Sequence, residues 1–318
     1  MTVPTKVAVV GVGALGEHHA RIYSELSETE LVAVVDIQEE RGQQLAKLCD
    51  CQFHNDYRKI IGAVDAVSLA VPTVEHARIG VDLLHQGVHV LVEKPIAQST
   101  AEANQMIRAC RENSVVLHVG QSERFNPALL AVKPFISEPR FFESHRLGVF
   151  VSRSLDIDVV LDLMIHDLDL ILHFVKSPLR KIYAVGIPVL SSRVDIANAR
   201  LEFENGCVAN ITASRVSTEK IRKLRLFQKE GYVSIDFHGR QAEIHQLQNS
   251  SGGKQIAQQE LSIREEEPLR LEIMAFLQAV RKDGEASSDL EGCSAEEGQR
   301  ALDVALKINQ VIKERDSQ

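Results

Sequence analysis

Gly11, Gly13 and Gly16 stand in a G-x-G-x-x-G spacing directly after an apolar run and at the start of a helical pattern. That context, rather than the glycines alone, points to a pyrophosphate: the first glycine permits a tight turn, the second lets backbone approach the ligand, and the third lets helix and strand pack closely. Backbone N–H groups from Gly13, Ala14 and Leu15, with the positive end of the helix, hold phosphate charge. Asp36 ends the next apolar run, twenty residues beyond Gly16. A carboxylate there accepts from the adenosine ribose hydroxyls and repels a 2′-phosphate, so NAD is favoured over NADP. Arg41, five residues on, softens that preference. The plainer alternative is glycines that serve only a turn and an aspartate that caps a helix.

Glu93 and Lys94 follow the apolar run 89–92 and precede Pro95. Both charges then fall at the carboxyl end of a strand, the edge that faces the ligand crevice in open α/β sheets. Proline has no N–H and ends the strand's pairing. A solvated strand end is the simpler reading of Lys94; its nearness to the cofactor loop in the inferred sheet favours the functional one. Further on, Asp158, Asp162, His166, Asp169 and His173 fall on a helix within an arc of about 80°, at roughly 100° per residue. Apolar side chains fill most of the remaining circumference, Asp167 excepted, so the stripe reads as one edge of a buried helix that lines a cleft. Imidazole titrates near neutrality, which suits His166 to take a hydroxyl proton while hydride leaves the same carbon for nicotinamide. Asp162 would orient the hydroxyl or the imidazole, and Lys94 would hold the oxygen as it becomes a carbonyl. Two other readings of the stripe are a metal site, for which a third ligand of clear spacing is missing, and a helix with a merely solvated edge.

The elements that must position these residues are legible in outline. Length, 318 residues, suggests two domains at about 150 residues each. Apolar β-branched runs at 7–12, 31–36, 66–71, 89–93 and 115–120 alternate with helical patterns at 13–27, 39–48, 73–86 and 100–113, Thr100 serving as N-cap of the last. Continuous apolar strands fit a parallel sheet covered on both faces. The expected fold is an α/β N-terminal domain, a Rossmann-like doubly wound parallel sheet over 1–122, followed by a C-terminal α+β domain over 123–318. In the second, one apolar helix at 158–175 precedes strands at 182–190, 197–204, 208–214, 224–228 and 232–236 in a mostly antiparallel sheet. Asn205-Gly206 marks a hairpin. The polar stretch 246–260 reads as a surface loop, and two last helices, 269–282 and 295–313, are free to pack back on the first domain.

At this point the chain resembles the Gfo/Idh/MocA family, named for glucose–fructose oxidoreductase and inositol dehydrogenase. Gly11 to Gly16, Val71-Pro72-Thr73 followed by His76, Glu93-Lys94-Pro95, and Asp162-x-x-x-His166-Asp167 match its pattern in order and spacing, and the likeness runs from about Lys6 to the last helix. The resemblance implies that Lys94, Asp162 and His166 are catalytic and meet the substrate. It also implies that Pro72, Thr73, His76, Glu93, Lys94 and Gln121 join the glycine loop and Asp36 around NAD. Which of Lys94 and His166 takes the proton varies among such enzymes. The stretches from Gln121 to Pro127 and from His145 to His166 are similar to members of that family that oxidise the 3-hydroxyl of UDP-N-acetylglucosamine, a step toward lipid A. Arg124 and Arg153 are then substrate-binding.

Arg215, Lys220, Arg222, Lys223 and Arg225 crowd into one short segment, and His145, Arg146 and Arg153 form a second basic group. They read either as charge that guards strand edges or as a clamp for a substrate diphosphate. Three functions therefore stand: a nucleotide-sugar dehydrogenase, a dehydrogenase of a free sugar, inositol or related polyol, and a non-catalytic dinucleotide-binding sensor. Retention of Lys94, Asp162 and His166 together counts against the sensor. The net charge of −8 argues against general nucleic-acid binding. The most apolar stretch, 159–175, carries too many charges to span a membrane. Five scattered cysteines suggest reduced thiols and no cysteine metal site, and with no basic-then-apolar leader the expected location is the cytoplasm. The family's habit implies a homodimer or homotetramer.

Overall fold

The computed structural model of the chain describes residues 3–150, 157–250, 253–281 and 291–316. It divides into two units, Met1–Ser122 with Leu269–Gln299, and Glu123–Pro268 with Arg300–Gln318.

The first unit alternates strands and helices: β1 (Thr5–Val10), α1 (Gly16–Glu25), β2 (Thr29–Val35), α2 (Glu39–Leu48), β3 (Gln52–His54), β4 (Ala66–Leu69), α3 (Thr73–His85), β5 (His89–Glu93), α4 (Thr100–Glu112) and β6 (Leu117–Gly120). All pairings among β1 to β6 are parallel, in the order β6-β5-β4-β1-β2-β3. Every residue of β4 is buried, as a strand covered on both faces must be. One face of α1 does the covering: Ala20, Ile22 and Tyr23 are fully buried, while Glu17, His18 and Ser24 meet solvent. The cap of α4 is Ser99, not Thr100; its hydroxyl accepts the Glu102 N–H at 3.2 Å, and the Glu102 carboxylate returns to the Gln98 N–H at 3.0 Å.

The second unit opens with a short helix, α5 (Pro127–Val132), whose Asn126 side chain accepts the Ala128 N–H at 3.1 Å. Strand β7 (Phe141–Leu147) follows, then a π-turn over Val160–Met164 that runs into α6 (Ile165–Phe174). The rest of the sheet is β8 (Leu179–Ile187), β9 (Ile196–Phe203), β10 (Val208–Ser214), β11 (Ile221–Gln228), β12 (Gly231–Asp236), β13 (Gln241–Ser250) and β14 (Gly253–Glu260). Its order is β14-β13-β12-β11-β7-β10-β9-β8, antiparallel except for β7 with β10. Strand β9 shows why the sheet is one-sided: Ala197, Ala199, Leu201 and Phe203 are buried, and Asn198 and Arg200 between them are exposed. The chain then adds α7 (Pro268–Arg281), β15 (Cys293–Ser294) and α8 (Ala295–Asp316). Strand β15 pairs antiparallel with β6, and Ile273, Phe276 and Leu277 of α7 lie in one core with Val7, Val9, Tyr23 and Val34.

Much of 246–260 is a hairpin rather than a loop, with Leu247 opposite Ile256 and Gln246 opposite Ala257. An edge hairpin is held by its backbone ladder and needs little apolar pattern. The helix expected from 158 onward begins with a π-turn, in which each hydrogen bond reaches one residue further than in an α-helix. The rotation of 100° per residue therefore does not carry through Asp162.

Candidate active site

The glycine loop is built as its spacing requires. Gly11 has φ of 87°, and a Cβ there would stand 2.7 Å from the Ala70 carbonyl atoms; a Cβ at Gly16 would meet the Gly11 oxygen at 1.8 Å. Gly13 differs, since nothing lies within 4 Å of its missing Cβ. Ala14 and Leu15 beside it are exposed. An open surface at the head of a ten-residue helix fits a dinucleotide pyrophosphate.

Asp36 is 5% exposed and anchors this loop from below. One carboxylate oxygen accepts the Val12 N–H at 2.8 Å and the Arg41 guanidinium at 2.7 Å, and the other accepts the Gln38 N–H at 2.8 Å. The aspartate thus sits at the end of the second strand, where a ribose carboxylate belongs, and also shapes the turn. Arg41 is half-exposed and in direct reach of it.

Pro72 is exposed and Thr73 half-buried at the start of α3. His76 is 1% exposed, with Nδ1 2.9 Å from the Pro95 carbonyl oxygen and Nε2 2.9 Å from that of Val71. Burial pushes its pKa down, although both carbonyls and Glu93 favour the proton. The structure places it as a brace between the loops that follow β4 and β5, rather than as a group on an open surface. Glu93 also turns inward, its Oε1 lying 3.0 Å from His19 Nε2, whereas Lys94 after it is half-buried. Gln121 is buried at 1% exposure after β6.

In the second unit the Asp–His stripe separates into groups with different work. Asp158 is the N-cap: Oδ1 accepts the N–H groups of Val160 and Leu161 at 2.9 and 3.1 Å, and Oδ2 accepts from Asn309 at 2.8 Å. Asp169, 1% exposed, receives the Arg124 guanidinium through two bonds of 2.7 Å. Asp167 takes Arg146 the same way at 2.8 and 3.1 Å, and Arg146 reaches Glu123 at 2.8 Å. Burial works against the charge of Arg146, but Asp167 and Glu123 hold its pKa above the ordinary value. His173 lies edge-on to Phe174. Asp162 and His166 remain half-buried at the π-turn and the first turn of α6. Asp158 and Asp169 are therefore supports of the helix and not cleft-lining groups. Arg124, expected on the substrate, is itself buried against that helix.

The basic segment is likewise divided. Arg215 is buried, donating to Asp195 at 2.8 Å and to the Ile157 carbonyl at 2.9 Å. Lys223 and Arg225 lie on one face of β11 beside Asp236 and Glu143, and Arg222 lies on the other, with Arg146, 3.7 Å from Glu123. Arg153 lies outside the described residues. Sequence reasoning missed the roles of His19, Tyr23 and Ser68, whose internal partners no local pattern announces, and of Glu123 and Arg146 behind α6. Among the described residues no group of His, Cys, Asp and Glu forms a metal site.

Two family models match the chain: one described as an oxidoreductase family with an NAD-binding Rossmann fold, over residues 5–121, and a GFO/IDH/MocA C-terminal domain, over residues 136–244. A UDP-N-acetylglucosamine 3-dehydrogenase of Acidithiobacillus ferrooxidans is 33% identical over 311 residues, 97% of each chain. Its solved structure superimposes with a TM-score of 0.88 over 98% of each chain. A myo-inositol 2-dehydrogenase of Thermotoga maritima is 24% identical over 73% of this chain and 75% of its own. A levoglucosan dehydrogenase solved with NADH shares the fold, with a TM-score of 0.85 at 18% identity over 98% of this chain and 97% of its own.

Proposed function

The chain belongs to the Gfo/Idh/MocA family of NAD-binding oxidoreductases, and from that premise we propose that it is an NAD-dependent dehydrogenase that oxidises the 3-hydroxyl of UDP-N-acetylglucosamine to a ketone. The observation that carries the substrate is the 33% identity to an enzyme of that name across 97% of both chains. In this reading His166 takes the hydroxyl proton, Asp162 orients the hydroxyl or the imidazole, and the Lys94 ammonium holds the oxygen as its negative charge grows. NAD, when bound, supplies the hydride acceptor, so the secondary alcohol loses a proton and a hydride. The buried pairs Asp167–Arg146 and Asp169–Arg124 support the reading, because they fix the turn of α6 that follows His166 without using its imidazole. Preference for NAD over NADP rests on Asp36, with Arg41 as its counterweight.

A free polyol is the second reading. The inositol dehydrogenase relative favours it, and so does the buried engagement of Arg215 by Asp195, which removes that arginine from a diphosphate clamp. Cytoplasmic location and a homodimer or homotetramer belong to the same proposal. Tyr183, Val185 and Ile187, exposed along β8, offer apolar surface to a second copy. Incubation with NAD and a panel of UDP-sugars and free polyols, followed by NADH absorbance, separates the readings. Turnover of UDP-N-acetylglucosamine is expected; turnover of polyols alone overturns the nucleotide-sugar assignment.

A further inference from the structure

A hydrogen-bonded chain runs through the interior of the first unit. Tyr23 Oη lies 2.9 Å from Ser68 Oγ, Ser68 Oγ 2.9 Å from His19 Nδ1, and His19 Nε2 3.0 Å from Glu93 Oε1. Tyr23 and Ser68 are fully buried, and His19 is 1% exposed. Three elements contribute: α1 gives His19 and Tyr23, β4 gives Ser68, and Glu93 is the last residue of β5. Gly120, opposite Glu93 across β5 and β6, leaves the carboxylate its room, since a Cβ there would stand 3.2 Å from Cδ and both oxygens.

The chemistry of the members sets the direction of the bonds. A carboxylate only accepts, so Nε2 carries the proton; Nδ1 then accepts from the Ser68 hydroxyl, and Ser68 accepts from Tyr23. All four groups are satisfied with a neutral imidazole and an ionised Glu93. Burial opposes that ionisation, but the His19 hydrogen bond and the neighbouring Lys94 charge hold the Glu93 carboxyl below its ordinary range. Serine, histidine and carboxylate are also the residue types of a nucleophilic triad, yet no surface of Ser68 is exposed to meet a substrate. The chain's work is positional.

We propose that His19 is a positioning residue of this dehydrogenase: by gripping Glu93 it ties the end of β5, and with it Lys94, to the helix whose head opens on the glycine loop. Its side chain is common to the element that would meet the cofactor phosphates and the one that presents the lysine. This inference rests on the proposed role of Lys94.

His19→Leu removes both bonds, whereas His19→Gln keeps a donor for Glu93 and an acceptor for Ser68. NMR of side-chain-labelled lysine reads the Lys94 ammonium without substrate, its signal assigned by loss in Lys94→Met. That signal is expected to move in His19→Leu and to return toward its wild-type position in His19→Gln. Turnover of UDP-N-acetylglucosamine should fall by about tenfold or more in His19→Leu, with NADH affinity changed by less than about threefold. The double variant with Glu93→Gln should be no slower than Glu93→Gln alone. An unmoved Lys94 signal in His19→Leu overturns the proposal. Should that variant fail to fold, His19→Asn, too short to reach Glu93, is expected to give the same displacement, and an unmoved signal there is equally decisive against it. If the wild type oxidises none of the panel, the functional reading fails while the NMR comparison still decides the role of His19.

Discussion

Lys94 and His166 are each half-buried, and each follows or precedes a carboxylate already engaged elsewhere: Glu93 by His19, Asp167 by Arg146. Lys94→Met and His166→Asn are expected to lower turnover on the order of a hundredfold or more, the usual worth of a positioned acid or base, while NADH affinity measured by fluorescence stays within about threefold. Retained turnover in both variants removes the proposed chemistry. Asp36→Ala should raise the relative use of NADP, read as the ratio of kcat/KM for the two cofactors. It should also destabilise the fold by about 1 kcal/mol, because Val12 loses its acceptor. An unchanged ratio would leave Asp36 as a loop anchor only. The glycine turn and the place of Asp36 after β2 were legible because spacing and a strand terminus mark them, and the same kind of mark makes Lys94 and His166 candidates. His76, Glu93 and Arg124 are equally polar or charged, yet their side chains are engaged in the interior. Sequence alone cannot show which way such a group points when its partner is tens of residues away.

Helix α6 carries two buried aspartates that a purely apolar face would exclude, and both are closed by two-pronged arginines. Removing one member leaves a buried charge alone, so Arg124→Met should cost about 3–5 kcal/mol in urea denaturation, and Arg124→Met with Asp169→Leu should recover much of it. Equal stabilities of the single and double variants would show that the pair does not act as a unit. The turn before β9 is held in a comparable way. Asp195, fully buried, accepts three backbone N–H groups from Val189, Leu190 and Ser191, along with Arg215. Burial opposes its charge, but the Ser191 hydroxyl, the Ser191 and Val189 N–H groups and Arg215 hold its pKa well below the ordinary value. Its contribution is therefore complete above the unfolded value of about 4 and fades as pH falls through the lower folded value. Asp195→Asn should flatten the acid limb of stability measured from pH about 6 to about 2; an unaltered limb would remove Asp195 from that role. Strands β1, β2, β4 and β5 and helices α2 to α4 were readable to within a few residues because each hides a continuous apolar run or one amphipathic face. Strand β7, the β13–β14 hairpin and the π-turn were not, since backbone pairing and a single inserted residue leave little trace in side-chain pattern.

The first unit is not contiguous in the chain. Its core contains Ile273, Phe276 and Leu277, none more than 1% exposed, and its sheet ends on β15, both separated from β6 by the whole of the second sheet. A fragment that stops at residue 122 lacks these side chains and bares the apolar surface they cover. It should expose dye-binding hydrophobic area and bind NADH at least about tenfold more weakly than the full chain, given roughly 1.5–3 kcal/mol for each large side chain missing from the core. A fragment with native affinity would mean that α7 is dispensable. The same arrangement bears on the order of synthesis. Ribosomes extend a chain at about 5–20 residues per second and let finished domains fold as they emerge. Here the nucleotide half is translated first but completed late, after the sheet that follows it has already left the exit tunnel. For many seconds its nascent strands wait for a helix not yet made, which is the interval in which a chaperone would find them.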